Sequence, residues 1–204
     1  MSWRGPISWR MGVRRGDYLI DHALWTRAAE RIEPPPHRLV PGPLDLDTEP
    51  PVPSRTADEG PDDVLGEEGL GWWLSLVDPL RQPIRPTEGL EPAFDTPDPL
   101  GLAPYPALRR IVARRWREAS AWHVARQRTH ATRPPSGPAS RDVVHTVERS
   151  LGRPLRPFSV EFILLPVRDE VIRRVGEECY LVPERVHDSP RWAVWLRSLV
   201  LRIG

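Results

Sequence analysis

The clearest hydrophobic pattern lies in the last third of the chain. Valine and leucine recur at helical spacing between Ser140 and Gly152. Serine is a favoured helix N-cap and glycine a common stop, so the pattern predicts a helix over Ser140–Leu151. Apolar and polar residues then alternate over Phe158–Leu165 until both faces become apolar. This segment is therefore predicted to be a strand that starts half-exposed and ends buried.

The strongest periodic signal is in the final segment, where apolar residues form one stripe at i, i+3, i+4, i+7 and i+11. These residues are Trp192, Trp195, Leu196, Leu199 and Ile203. With Ser189 as a cap and proline at the first helical position, the stripe predicts a helix over Pro190–Ile203.

Two shorter segments lie between these elements. Residues 179–182 predict a second strand, ended by Pro183. Residues 171–175 fit either a short helix or one strand of a hairpin that turns at Gly176, and we favour the helix.

Two further helices are predicted nearer the N-terminus. Asp17 is a candidate cap for a helix over residues 17–31, which three prolines terminate. Residues 107–130 predict a long amphipathic helix. Ahead of both, a short Ser-Trp-Arg repeat suggests either a docking arm that uses Trp3 and Trp9 or a loosely packed terminus.

Residues 41–104 differ in composition from the rest of the chain. They contain 14 acidic residues and three arginines, a net charge of −11, and many prolines. This composition favours an extended linker. Its exception is the apolar octet 70–77 with Trp72 and Trp73, which we expect to be buried either on the protein's own core or on a partner.

These elements predict an α+β fold in which amphipathic helices cover a small mixed sheet of two to three strands. A third strand would come from 171–175 or from 72–77, because two strands make a marginal sheet. We divide the chain into an N-terminal arm and helix at 1–40, an acidic proline-rich linker at 41–104, and a basic helix with an α/β core at 105–204.

Composition narrows the classes of function. All 29 basic residues are arginine, which is typical of a GC-rich genome, and the net charge of +1 makes no general case for nucleic acid. A single cysteine, Cys179, excludes an intramolecular disulfide. No apolar run is long enough for a membrane span or a signal peptide, so we expect a cytoplasmic protein without membrane contact.

The sharpest functional candidate is the polar face of the 107–130 helix. Its arginines lie at helical spacing: Arg110, Arg114, Arg117 and Arg128. Such a face can follow a phosphate backbone or contact another partner. Alternatively, it is a solvated surface, or the acidic linker neutralises it within the molecule.

No catalytic, cofactor or metal motif is recognisable. Cys179 lies at the start of an apolar strand, where a small buried side chain is the simpler interpretation than a nucleophile. His123 and His130 are seven residues apart, about 10 Å along a helix, and do not share one metal.

We therefore predict a non-catalytic accessory or adaptor protein that acts through protein contacts, with an unknown protein as its partner and no cofactor. The alternatives are a nucleic-acid-binding regulator that uses the arginine face and an enzyme whose site is assembled across the fold. The candidate docking residues are Trp72, Trp73, Trp3 and Trp9.

Overall fold

A computed structural model describes residues 9–46, 52–54, 56, 59–81, 101–132 and 140–204. Four strands and six helices follow one another in these ranges. They are β1 (Trp9–Arg15), α1 (Tyr18–Ala29), α2 (Asp62–Val77), α3 (Pro106–Thr132), α4 (Ser140–Leu151), β2 (Phe158–Leu165), β3 (Arg173–Arg174), β4 (Cys179–Pro183), α5 (Glu184–His187) and α6 (Pro190–Ile203). The fold class is α+β, as predicted, and the bounds of α4, β2 and α6 agree with the sequence pattern.

The sheet has the strand order β1-β2-β4-β3. The first three strands are parallel, and β3 is antiparallel to β4. Alternate residues of β2 enter two separate cores. Ile163 and Leu165 pack with α1, α2 and α3, whereas Phe162 and Leu164 pack with α4 and α6. The sheet is thus covered by helices on both faces.

The sheet has four strands instead of the predicted two to three. The additional strand, β1, comes from residues assigned to the N-terminal arm, and Trp9 pairs with Phe158 in register. It was missed because β1 is an edge strand whose half-exposed positions are shared among arginine, glycine and apolar residues. Its pattern therefore lacks the clean alternation of a half-buried strand.

Residues 171–175 contain β3, so the favoured helix is wrong and the hairpin alternative is right. The carboxylate of Asp169, just ahead of this segment, accepts hydrogen bonds from Gly42 N, Val171 N and the Arg173 guanidinium. Val175 N then donates to Cys179 O at 2.9 Å and closes the turn. Contacts outside the segment thus override its helical pattern.

The interval treated as a linker contains the 16-residue helix α2, which packs on α1 and α3. The octet is the C-terminal half of this helix, so it does not supply a strand. Within the described ranges, no helix is both long and apolar enough to cross a membrane.

Glycine lets α2 approach the chain that follows α1. A Cβ atom on Gly66 would lie 2.6 Å from the backbone oxygen of Glu33, whereas one on Gly69 would lie 3.2 Å from a methyl group of Ile32. The Glu33 oxygen belongs to the backbone and cannot move without shifting the chain. The Ile32 methyl group belongs to a side chain, which can move by a few tenths of an ångström.

Two substitutions test the docking of α2. Helix propensity alone favours alanine over glycine by about 1 kcal/mol at either position. We expect Gly66→Ala to lower the free energy of unfolding by about 1–3 kcal/mol because the backbone must shift, and Gly69→Ala to leave it unchanged or raise it slightly. Urea denaturation measures both. Stabilisation by Gly66→Ala would contradict the packing of α2 against this backbone.

Candidate functional site

The polar face of α3 is the candidate site that the sequence pattern indicated. Arg110, Arg114, Arg117 and Arg128 are all exposed, while Leu108, Ile111, Val112 and Ala119 on the opposite face are buried. We call the outward surface formed by Arg110, Arg114, Arg117, Ala121, Val124 and Arg128 the exposed arginine face. From its first to its last residue it extends about 27 Å along the helix.

The acidic interval contacts this face at one end. Arg114 Nη1 donates to Glu59 Oε1 at 2.5 Å, and Arg114 Nε donates to Ser54 Oγ at 3.2 Å. Burial alone would raise the pKa of Glu59, but hydrogen bonds from Arg114 and Thr56 and the charge of Arg110 together lower it. The alternative that acidic residues of this interval neutralise the face thus applies at Arg114.

The other end of the face carries Arg117 and Arg128, which are exposed. Across the described ranges, Arg117 and Arg128 form no ion pair. Between them lies Val124, whose side chain is 45% exposed although it is apolar. An apolar side chain flanked by arginines combines two features enriched at protein–protein contacts.

Two arginines of the same helix, Arg115 and Arg126, have a different role. Both lie on the apolar stripe and are buried. Arg115 Nε donates to Glu30 Oε1 at 2.6 Å, its Nη1 to Glu118 at 2.8 Å, and its Nη2 to the Val52 carbonyl oxygen at 2.6 Å. Glu30 is fully buried, so this pair joins the end of α1 to the middle of α3.

Arg126 joins three elements. Its Nη1 donates to both carboxylate oxygens of Asp21 at 3.0 and 2.8 Å, and its Nη2 donates to Glu184 at the start of α5. His123 Nδ1 lies 2.7 Å from the same Asp21 carboxylate, and His130 Nε2 lies 3.3 Å from Glu184. Burial raises the pKa of Asp21, against the opposing effects of Arg126 and His123.

A second polar group lies beside this link. His22 Nδ1 is 2.8 Å from the Tyr18 carbonyl oxygen and His22 Nε2 is 3.0 Å from Ser120 Oγ. A carbonyl only accepts, so Nδ1 carries the proton and Nε2 accepts from the Ser120 hydroxyl. The Tyr18 hydroxyl is 3.0 Å from Ser120 Oγ. Burial lowers the pKa of His22 to about 4, which keeps the ring neutral at neutral pH.

These buried groups were not among the candidate residues predicted from the sequence. The sequence pattern nevertheless contained an indication of them. Asp21 lies at helical spacing from the apolar residues Leu24 and Ala28 of α1. Arg115 and Arg126 likewise lie on the apolar stripe of α3. A charged residue inside an apolar stripe indicates a buried partner. The partner itself, 105 residues away along the chain for Asp21 and Arg126, is not visible in either pattern.

The tryptophan candidates fall into three classes. Trp72 and Trp73 are 2% and 5% exposed, and Trp73 Nε1 donates to the Leu39 carbonyl oxygen at 2.8 Å. Both therefore lie in the protein's own core and are not accessible for docking in this conformation. Trp9 is half-buried and stacks on Phe158 with ring centroids 6.4 Å apart. Trp3 lies outside the described residues.

Cys179 lies in the sheet, where burial raises the pKa of its thiol to about 11. At neutral pH it is protonated, which disfavours a nucleophilic role. In the described part of the chain, no three histidine, cysteine or acidic side chains form a group that could hold a metal ion.

Comparisons with known proteins identify no relative: no protein family, curated protein or solved structure matches this chain.

The pKa of His22 predicts an acid-sensitive contribution to stability. Below pH 6.5 the unfolded chain protonates this histidine while the folded protein resists protonation down to about pH 4. Stability therefore falls as the pH is lowered through this window, by about 3 kcal/mol in total for this group. We expect His22→Gln to remove most of this dependence in urea denaturation series at pH 7, 6, 5 and 4.

The matched control is His145→Gln, because the His145 side chain is 53% exposed. It should retain the loss of stability at low pH that His22 contributes. Asp21 titrates in all three proteins, so its effect cancels to first order in the comparison. Equal slopes for His22→Gln and the unmodified protein would mean that His22 is not held neutral.

Proposed function

We propose that this protein is a non-catalytic accessory or adaptor protein whose exposed arginine face binds an acidic segment of a partner protein. The observation that carries this proposal is the exposure of Val124 between Arg117 and Arg128, two arginines without an ion pair among the described residues. The two arginines on the buried stripe of α3, Arg115 and Arg126, instead form ion pairs with acidic residues of the fold.

The arrangement of charge favours a protein partner over nucleic acid. Binding along a phosphate backbone draws on uncompensated positive charge. Here Glu59 pairs with Arg114, and the half-exposed Glu118 is adjacent to Arg117 on the helix. The apolar Val124 and the small residue Ala121 occupy the centre of the face. An acidic partner with a central apolar residue matches this sequence of charged, apolar and charged positions.

The length of the face suggests the form of the partner. A helix of about 18 residues would run the 27 Å from Arg110 to Arg128. An amphipathic helix with acids on the flanks and small apolar residues in the middle would satisfy both classes of position. A cytoplasmic location remains part of this proposal.

Photo-crosslinking tests the proposal in cells of the source organism. We would place benzoylphenylalanine at position 124, and at position 171 as the matched control, because Val171 is a similarly exposed valine on a different surface. We expect one protein crosslinked at 124 and absent at 171. Arg117→Glu combined with Arg128→Glu should reduce its yield at least tenfold, since each change replaces an attraction with a repulsion.

Two further measurements separate the alternatives. Thermal denaturation should show an unchanged melting temperature for the double variant, because neither arginine holds the fold. Nuclease treatment should leave the crosslinked product intact. A nuclease-sensitive product at 124 would support the nucleic-acid alternative, and equal products at 124 and 171 would contradict a specific docking face.

A further inference from the structure

The sheet ends in two edge strands of different length. The strand β3 has two residues, whereas β1 has seven and pairs with β2 along its whole length. In a parallel ladder, alternate residues direct their N–H and C=O groups to the neighbouring strand, so about three residues of β1 direct theirs away from β2.

These outward backbone groups of β1 are accessible. No residue of this strand is buried. In the part of the chain that the structure describes, the β1 backbone forms no hydrogen bond outside its ladder with β2, and no helix runs along its other side. A strand edge of this kind is a template for another strand, and native proteins usually shorten, cover or charge it. An extended segment can therefore add to the sheet beside β1.

The two faces of β1 differ in chemistry. Trp9 packs partly against the core under α4 and α6, and by alternation Val13 lies on the same face, where it is 41% exposed. The opposite face carries Arg10 and Arg14. Arg14 Nε lies 3.0 Å from Glu161 Oε1 of β2, whereas Arg10 is exposed and forms no ion pair with any described residue. A strand beside β1 would thus meet an apolar side chain on one face and a positive charge on the other.

This alternation defines the kind of strand that fits. Cross-strand neighbours stabilise a sheet when β-branched and apolar side chains meet and when opposite charges meet. We propose that the free edge of β1 binds an extended segment of a partner protein in which acidic and β-branched apolar residues alternate. The acidic residues lie beside Arg10, the apolar residues cover Val13, and the main chain pairs with the outward groups of β1.

A second copy of this chain fits the edge less well. Antiparallel pairing over the full length of β1 would place Arg10 opposite a second Arg14, and like charges directly opposite each other destabilise a sheet. Binding at β1 is also separate from the proposed docking function, because it does not use the exposed arginine face. Either can fail without the other.

Synthetic peptides test the proposal on the full-length protein, with fluorescence anisotropy as the measure of binding. The probe is a capped heptapeptide of alternating valine and glutamate, and the charge control replaces each glutamate with lysine. Two further peptides carry N-methyl groups on the valine amides alone or on the glutamate amides alone. Only one of these two sets of amides faces β1 in an added strand. We therefore expect one methylated peptide to bind at least about tenfold more weakly than the probe, and the other to bind as the probe does.

Charge reversal locates the site. Arg10→Glu should weaken the glutamate peptide about fivefold and strengthen the lysine peptide. Arg197→Glu is the matched control, because Arg197 is an exposed arginine on α6. The double variant Arg117→Glu, Arg128→Glu should bind the glutamate peptide as the unmodified protein does. In ¹H–¹⁵N spectra, this peptide should shift amide resonances of alternate residues in β1.

Four results would contradict the proposal. Equal binding of the two methylated peptides would overturn strand addition. Loss of binding in the double variant and not in Arg10→Glu would move the peptide to the exposed arginine face. Absence of saturable binding at millimolar peptide would overturn the site. A dimer in sedimentation velocity that Arg10→Glu strengthens would assign the edge to a second copy of the chain.

Discussion

The arrangement of the helices depends on the buried ion pairs that Arg126 forms. Its guanidinium contacts Asp21 of α1 and Glu184 of α5, so one side chain of α3 joins two elements that are 163 positions apart in the sequence. Asp21 is 1% exposed. A buried carboxylate without its partner costs several kcal/mol, so we expect the guanidinium from α3 to stabilise the packing of α1. Arg115 and the fully buried Glu30 repeat this arrangement at the C-terminal end of α1.

Arginine has two different roles in this structure. The chain has no lysine, so arginine provides every basic group, both for buried ion pairs and for surface contacts. Position on the helix separates the two. Arginines on the apolar stripe of α3 pair with buried acids of the fold, whereas arginines on the opposite face are exposed, although Arg114 also pairs with Glu59. A high arginine content therefore has no single meaning here, and only the exposed arginines bear on the proposed partner.

Local pattern predicted some parts of this structure and not others. The elements α4, β2 and α6 were predicted with their observed bounds, because strong periodicity coincides with proline or glycine at their ends. The strand β1 was missed because an edge strand with arginines lacks alternation, and β3 was misassigned because Asp169 is held by Gly42 from a distant loop. The octet is helical because α1 and α3 bury Trp72 and Trp73, a tertiary effect that overrides the composition of a linker.

The candidate site was likewise only partly predictable from the sequence. The exposure of Arg110, Arg114, Arg117 and Arg128 follows from helical spacing, which is a local property. The buried links do not, because each joins segments brought together only by the fold. The partially neutralised end at Arg114 also needed a contact that spans 55 positions.

A double-mutant cycle on Asp21 and Arg126 tests the central claim most directly. Urea denaturation would give the free energy of unfolding for Asp21→Asn, Arg126→Met and the double variant, with Arg128→Met in place of Arg126→Met as the reference. We predict that Arg126→Met alone costs about 3–5 kcal/mol, and that the pair shows a coupling energy of about 2 kcal/mol or more, against about zero for Arg128. Additive effects at Asp21 and Arg126, within about 0.5 kcal/mol, would contradict the claim that this buried pair holds α1 on α3.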